Sequence, residues 1–205
     1  MTAGPAGGPV RLPPHHPGMR IGLYGGSFDP PHIGHRHVAL TALRRLRLDR
    51  VWWIVTPGNP LKDRSRLPAR SERLGRTRAL ASHPRMEVTD IDGAIGAVYT
   101  VETLRYLVRR CPAVRFVWIM GADSLAHLHR WRAWREIARL VPFAVVDRPG
   151  WTLRATQSRG ASALATARIA AAAASSLACL RPPAWTFLYG PRSPFSSTVL
   201  REKSG

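Results

Sequence analysis

The chain has 205 residues, enough for one domain with a full core, and 45% of them are hydrophobic, an ordinary share for a globular protein. No apolar run approaches the ~20 residues that a membrane-spanning helix needs, which argues against a membrane partner. Only two cysteines occur, Cys111 and Cys179, far apart and without metal-ligand spacing, so a disulfide-stapled secreted module is excluded and a reducing, cytoplasmic setting is expected. The formal charge of +19 points toward polyanions, but the arginines are scattered and lysine occurs only at Lys62 and Lys203. Attraction of nucleotides follows from that charge; no nucleic-acid partner is expected.

Residues 1–18 are rich in Gly and Pro, lack the apolar core of a signal peptide, and read as a disordered tail; Met19 is an alternative start. Residues 19–205 read as a single domain. Arg20–Tyr24 is the first predicted strand. A helix follows from about Gly34 to Leu46, with Ala39, Ala42, Leu43 and Leu46 at helical spacing and arginines near its C-terminus. Val51–Val55 is an apolar strand ended by Thr56-Pro57-Gly58-Asn59-Pro60. Ser71–Ser82 is a second helix and Met86–Thr89 a third strand. Thr100 is placed to cap a helix reaching Arg110, with Val101, Leu104, Leu107 and Val108 inward. Val114–Met120 and Phe143–Val146 are further strands, with a Trp- and Arg-rich helical stretch between them. The alanine-rich segment 151–183 reads as a helical insertion, with a soluble helix across Ala161–Leu180. Trp185–Tyr189 is a late strand and Ser197–Lys203 a last helix.

Alternating strands and helices predict a Rossmann-like, doubly wound parallel sheet with helices on both faces. Right-handed crossovers place the loops after the strands along one edge, where ligands bind in such folds. Four polar loops converge there. They carry the glycine–histidine stretch, Lys62, Gly121-Ala122-Asp123 and Asp147-Arg148-Pro149-Gly150.

The glycine–histidine stretch is the most telling. Gly25-Gly26-Ser27-Phe28-Asp29-Pro30-Pro31-His32-Ile33-Gly34-His35 lies where a strand hands over to a helix. A tight glycine turn and a helix N-terminus present N–H groups to anions, and His32 and His35 share one side of the first helical turn. Such imidazoles stabilise charge developing at phosphorus. A second anion site is readable in Ser196-Ser197-Thr198 at a helix start, with Arg201 one turn later. Standing alone, that tripeptide is a plain helix cap, and Asp123, Thr100 and Trp131 each have an ordinary structural explanation as well.

Together with Tyr99-Thr100-Val101-Glu102-Thr103-Leu104, the Gly121-Ala122-Asp123 to Trp131 spacing and Arg148-Pro149-Gly150, these marks resemble the bacterial nicotinate-nucleotide adenylyltransferases, of the nucleotidyltransferase superfamily with the His-x-Gly-His signature. The resemblance implies transfer of AMP from ATP to nicotinate mononucleotide, giving nicotinate adenine dinucleotide and pyrophosphate in NAD biosynthesis. It implies Mg2+ carried by the nucleotide phosphates and no fixed metal site. His32, His35 and Arg201 are the implied catalytic residues. Gly25, Gly26, Ser27, Phe28, Gly34, Asp123, Arg148, Ser196, Ser197 and Thr198 fall on the ATP side. Lys62, Tyr99, Thr100 and Trp131 fall on the mononucleotide side, with Trp131 stacking on the pyridine ring. Leu61 stands where relatives often carry a histidine. The competing expectations are a transferase with another acceptor, phosphopantetheine or glycerol phosphate, and, more remotely, a nucleic-acid-binding protein. The sequence leaves the oligomeric state open, a homo-oligomer included.

Overall fold

The structure, a computed structural model, describes residues 10–58 and 67–190. Its centre is a seven-stranded sheet in which every pairing is parallel. The strands are β1 (Arg20–Gly26), β2 (Arg50–Val55), β3 (Met86–Thr89), β4 (Arg115–Gly121), β5 (Phe143–Val146), β6 (Arg168–Ile169) and β7 (Trp185–Leu188), in the spatial order β3-β2-β1-β4-β5-β7-β6. The chain winds from β1 outward through β2 to β3, then crosses back to β4 on the other side of β1. The order therefore reverses between β1 and β4, and the crevice beyond their carboxyl ends is the natural ligand position of such a sheet.

Both faces of the sheet are covered, because side chains of a strand alternate between faces and both sets here are apolar. Ile21, Leu23, Trp52, Ile54, Phe116, Trp118, Phe143 and Trp185 face one layer. That layer holds α3 (Ile91–Ile95), α4 (Thr100–Arg110), α5 (Ala122–His127), α6 (Trp134–Leu140), α7 (Thr152–Thr156) and α8 (Arg159–Ala163). Tyr24, Val51, Trp53, Val117, Ile119 and Val146 face the other layer, built from α1 (Ile33–Arg45), α2 (Arg70–Leu80) and a 3-10 helix, Ala171–Cys179.

Two segments differ from the sequence expectation. The tail predicted as disordered over 1–18 is ordered in its described part. Val10 and Leu12 pack against the core, His15 meets the Trp52 ring edge-on at 5.7 Å, and the Gly18 N–H donates to the Ala113 carbonyl at 2.8 Å. Two apolar side chains and the edge-on contact with the buried Trp52 ring outweigh the Pro- and Gly-rich composition. The alanine-rich segment is not one helix. It breaks into α7, α8, a 3-10 turn at Ala165–Ala167, β6, and the 3-10 helix. Alanine's helix propensity yields to sheet pairing, since Arg168 and Ile169 align with Trp185 and Thr186 as an edge strand. In the following 3-10 helix, Ala174 and Leu177 are buried three apart, which is the period of that helix. The predicted helix Ser197–Lys203 lies outside the described residues.

Among the described residues no helix is long and apolar enough to cross a membrane.

Candidate active site

The site is assembled at the carboxyl ends of β1, β4 and β5. β1 ends in Gly25 and Gly26, and a side chain at either would crowd an aromatic ring. A Cβ on Gly25 would sit 2.5 Å from the tip of the Trp118 ring, and one on Gly26 would press on the Phe28 ring at 3.0 Å. Trp118 in turn meets Trp131 edge-on at 6.4 Å, so a single indole bridges the glycine loop to the partly buried Trp131. Phe28 is buried, with a left-handed backbone at φ 46°, and lies edge-on to His35 at 5.1 Å. Its ring is part of the floor under the histidines, with Tyr24 and Trp53. Ser27 lies in the same loop.

α1 starts without the usual hydroxyl or carboxylate cap. His32 is the N-cap, and its Nδ1 accepts the N–H of Gly34 at 3.1 Å; His35 Nδ1 accepts the N–H of His32 at 3.2 Å. Each ring therefore uses Nδ1 as an acceptor, which puts the proton of the neutral imidazole on Nε2. The rings lie 3.8 Å apart between centroids. Burial, and secondarily the Arg148 charge, lower the His32 pKa to about 4, partly opposed by Asp123. His32 is thus neutral near pH 7, and its buried Nε2–H has no hydrogen-bond partner among the described residues. This cap also consumes the Gly34 N–H. At this helix start the Gly34 amide is already used, and the buried His32 Nε2–H remains as a donor.

Asp123, in the first turn of α5, is bridged by Arg148, whose Nη1 reaches both carboxylate oxygens at 3.2 Å. Gly121 makes room for the pair, because a Cβ there would collide with Asp123 Oδ1 and approach Arg148 Cδ at 2.9 Å. Tyr24, on β1 below, has its phenol pushed well above its usual range by burial, and it feels the charges of Arg148 and Asp123. His32, Asp123 and Arg148 therefore share one electrostatic neighbourhood at the switch point.

Tyr99 and Thr100 lie at the start of α4. Tyr99, not Thr100, is the N-cap residue, and Thr100 is the first helical residue. The Glu102 carboxylate closes the turn by accepting the N–H groups of Val98 at 2.9 Å and Tyr99 at 3.0 Å, which holds its pKa low. The Arg132 guanidinium lies 4.8 Å over the Tyr99 ring, tying this corner to the Trp131 segment. Lys62, Ser196, Ser197, Thr198 and Arg201 lie outside the described residues.

A cytidylyltransferase-like family model matches residues 23–203. A "probable nicotinate-nucleotide adenylyltransferase" of Methylorubrum extorquens (strain PA1) is 63% identical over 185 residues, covering 90% of this chain and all of that one. The chain belongs to the nicotinate-nucleotide adenylyltransferase family. A relative of the same name from Bradyrhizobium sp. (strain ORS 278) is 54% identical over 91% of this chain and 97% of its own. The fold is shared with a solved Plasmodium falciparum nicotinic acid mononucleotide adenylyltransferase complexed with NaAD, at a TM-score of 0.68 and 16% identity over 90% of this chain and 83% of that one.

The structure shows three buried charged residues to which the sequence alone assigned no role. Asp147, buried at the end of β5, accepts the Arg148 N–H at 2.9 Å and the Thr152 hydroxyl at 2.7 Å, and so sets the turn from which Arg148 projects. Asp92 of α3 is buried and accepts the Thr103 hydroxyl at 2.7 Å. Burial raises its pKa to about 6. Arg73 of α2 is buried beneath the glycine loop. Asp147 had a visible signal, an acidic residue directly after an apolar strand. Arg73 had none, being one of 31 basic residues.

Proposed function

We propose that the paired imidazoles of His32 and His35 are the phosphate-handling centre of adenylyl transfer from ATP to nicotinate mononucleotide. The observation that carries this assignment is the reciprocal cap, which fixes both rings with Nε2–H as donor at the switch point of the sheet. Membership of the adenylyltransferase family supports the reaction, and the NaAD in the Plasmodium relative supports the same product here.

In the reaction, a phosphate oxygen of the mononucleotide attacks the α-phosphorus of ATP in line. The new P–O bond forms as the bond to the β-phosphate oxygen breaks, and pyrophosphate leaves. A phosphate monoester is already anionic, so no general base is needed. The protein contributes positioning and stabilisation of charge on the α-phosphoryl and leaving groups. A neutral His32 donates to phosphate oxygen without losing a proton to bulk water at working pH. Asp123, oriented by Arg148, would hold a ribose hydroxyl. Trp131 would stack on the pyridine ring, with Tyr99 and Thr100 at the nicotinate carboxylate. Lys62 would reach the mononucleotide phosphate, and Ser196, Ser197, Thr198 and Arg201 would grip the ATP phosphates from the other side.

The donors gathered around the histidines are imidazole N–H and guanidinium groups, which suit phosphate oxygens more than a bare cation. They fit magnesium delivered as its ATP complex, which supplies charge neutralisation on the phosphates when bound. The two free thiols, Cys111 and Cys179, support a cytoplasmic setting.

Pyrophosphate release with ATP and, in turn, nicotinate mononucleotide, nicotinamide mononucleotide and phosphopantetheine tests the reading. Release with nicotinate mononucleotide is expected. Release with phosphopantetheine alone would overturn it.

A further inference from the structure

Arg73 is 2% exposed, and its hydrogen bonds run to backbone carbonyls. Nη1 donates to the Ser27 carbonyl at 2.7 Å and to the Thr56 carbonyl at 2.9 Å, while Nε donates to the Pro68 carbonyl at 3.1 Å. Each acceptor has a place in the site. Ser27 belongs to the glycine–histidine loop, directly before the left-handed Phe28. Thr56 follows β2, and Pro68 precedes α2. They are the two stems between which the chain runs from β2 to α2 and carries Lys62.

The location explains why a guanidinium is used. β1 and β2 pair in parallel as far as Gly26 and Val55, and one more bond, Thr56 N–H to the Gly26 carbonyl at 3.0 Å, extends the ladder. Beyond it the strands part and their next carbonyls need donors. Half-buried carbonyls left unmatched carry a cost, and among the described residues no strand pairs with them there. The Arg73 fork takes both, and its Nε takes the returning stem. Arginine alone presents several donors in a fixed plane while keeping its charge. Burial works against that charge, and nearby Asp29 works in its favour. A fold that wanted only a packed helix face here would be served by an apolar side chain.

We propose that Arg73 is a positioning residue: its buried guanidinium fixes the spacing between the phosphate-binding loop after β1 and the two stems at Thr56 and Pro68, so that nucleotide and mononucleotide meet in register. The inference rests on the reaction proposed above. Arg73 touches no substrate and acts through the carbonyls of Ser27, Thr56 and Pro68. Because it braces both loops, its loss should disturb both substrates at once, unlike loss of a residue that contacts one of them.

The test compares wild type, Arg73→Lys and Arg73→Gln, assayed well below their unfolding midpoints, with the folded fraction measured by near-UV circular dichroism. Lysine keeps the charge and loses the fork. Per folded molecule, kcat is expected to fall at least about thirtyfold in Arg73→Lys, with KM raised for ATP and nicotinate mononucleotide together. A folded Arg73→Lys with kcat and both KM values within about threefold of wild type would overturn the proposal. Hydrogen exchange on the wild-type chain gives a readout independent of any variant. A non-hydrolysable ATP analogue added alone should slow exchange at residues 68–74 as well as at 25–36. Protection confined to 25–36 would overturn the brace. A wild type that folds but releases no pyrophosphate would sink the reaction itself, and the exchange result would then decide the brace.

Discussion

His32 and His35 cap one helix turn in exchange: His35 Nδ1 receives the backbone N–H of His32, while His32 Nδ1 receives that of Gly34. Each of these two hydrogen bonds therefore has two consequences, a structural cap and a fixed donor on the far side of the ring. The two separate by magnitude. Losing a helix cap costs about 1 kcal/mol. Losing a donor to charge developing in the transition state costs roughly a hundredfold to a thousandfold in turnover. His35→Ala should lower the unfolding midpoint slightly and cut kcat by that larger factor, with little change in the affinity for nicotinate mononucleotide. Steady-state kinetics beside a denaturant titration checks both. Unchanged turnover would remove His35 from the chemistry.

The pH dependence of stability should carry two opposed slopes. The folded pKa of His32, about 4, lies below its ordinary 6.5. Across that window the unfolded chain binds a proton that the folded chain refuses, so this contribution is present above 6.5 and is lost as pH falls toward 4. Asp92 runs the other way. Its folded value of about 6 lies above 3.8, so the folded chain holds the extra proton and stability declines as pH rises through that window. In Asp92→Asn the side-chain oxygen still accepts from Thr103 while the titration disappears. The variant should be more stable than wild type near neutrality, on the order of 1–2 kcal/mol, and should lose stability more steeply on acidification. Urea midpoints across the acid-to-neutral range measure both effects. An unaltered pH profile would mean that Asp92 does not titrate in this window.

These pairs show which parts of the molecule the sequence makes readable. Strand, glycine turn and His-x-Gly-His stand in one uninterrupted stretch, so β1, its loop and α1 are visible at once, and the alternation of elements fixes the parallel sheet. The exchange of caps is not visible, because a histidine in the N-cap position carries no propensity mark. Arg73 is hidden for another reason: its acceptors are carbonyls at Ser27 and Thr56, distant in sequence and identical in every residue type. The alanine-rich stretch misleads because its conformation is decided by the partner strand β7, and local propensity is overruled. The ordered arm at 10–18 misleads because two apolar contacts outweigh a composition typical of disorder.

Gly25 has a purely steric reason to be glycine. Its φ is not left-handed, yet the Trp118 ring occupies the space of a Cβ at 2.5 Å, and Trp118 is itself buried with 3% exposure. Gly25→Ala must displace an indole in a packed core, at a cost of roughly 1–3 kcal/mol. Trp131 meets the same indole edge-on, so the shift should also reach Trp131, the ring proposed above to stack on the pyridine. The expected variant is less stable and has a raised KM for nicotinate mononucleotide. Chemical denaturation and substrate titration test it, and full wild-type stability would contradict the tight contact.

Asp123 and Arg148 should behave as one unit. Arg148 reaches both carboxylate oxygens, Asp147 fixes the turn that carries Arg148, and Gly121 leaves the space in which the pair forms. Asp123→Asn keeps a hydrogen-bond acceptor for a ribose hydroxyl but removes the charge that holds Arg148. Arg148→Lys keeps the charge but cannot hold a planar carboxylate in the same way. Each single variant should raise KM for ATP by about tenfold, a change of about 1.4 kcal/mol. Removing either partner already breaks the bridge between them, so the double variant should be little worse than the singles. Steady-state ATP kinetics on the four enzymes gives the coupling directly. Additive losses would show that the two side chains serve the nucleotide independently and that their bridge does not orient Asp123.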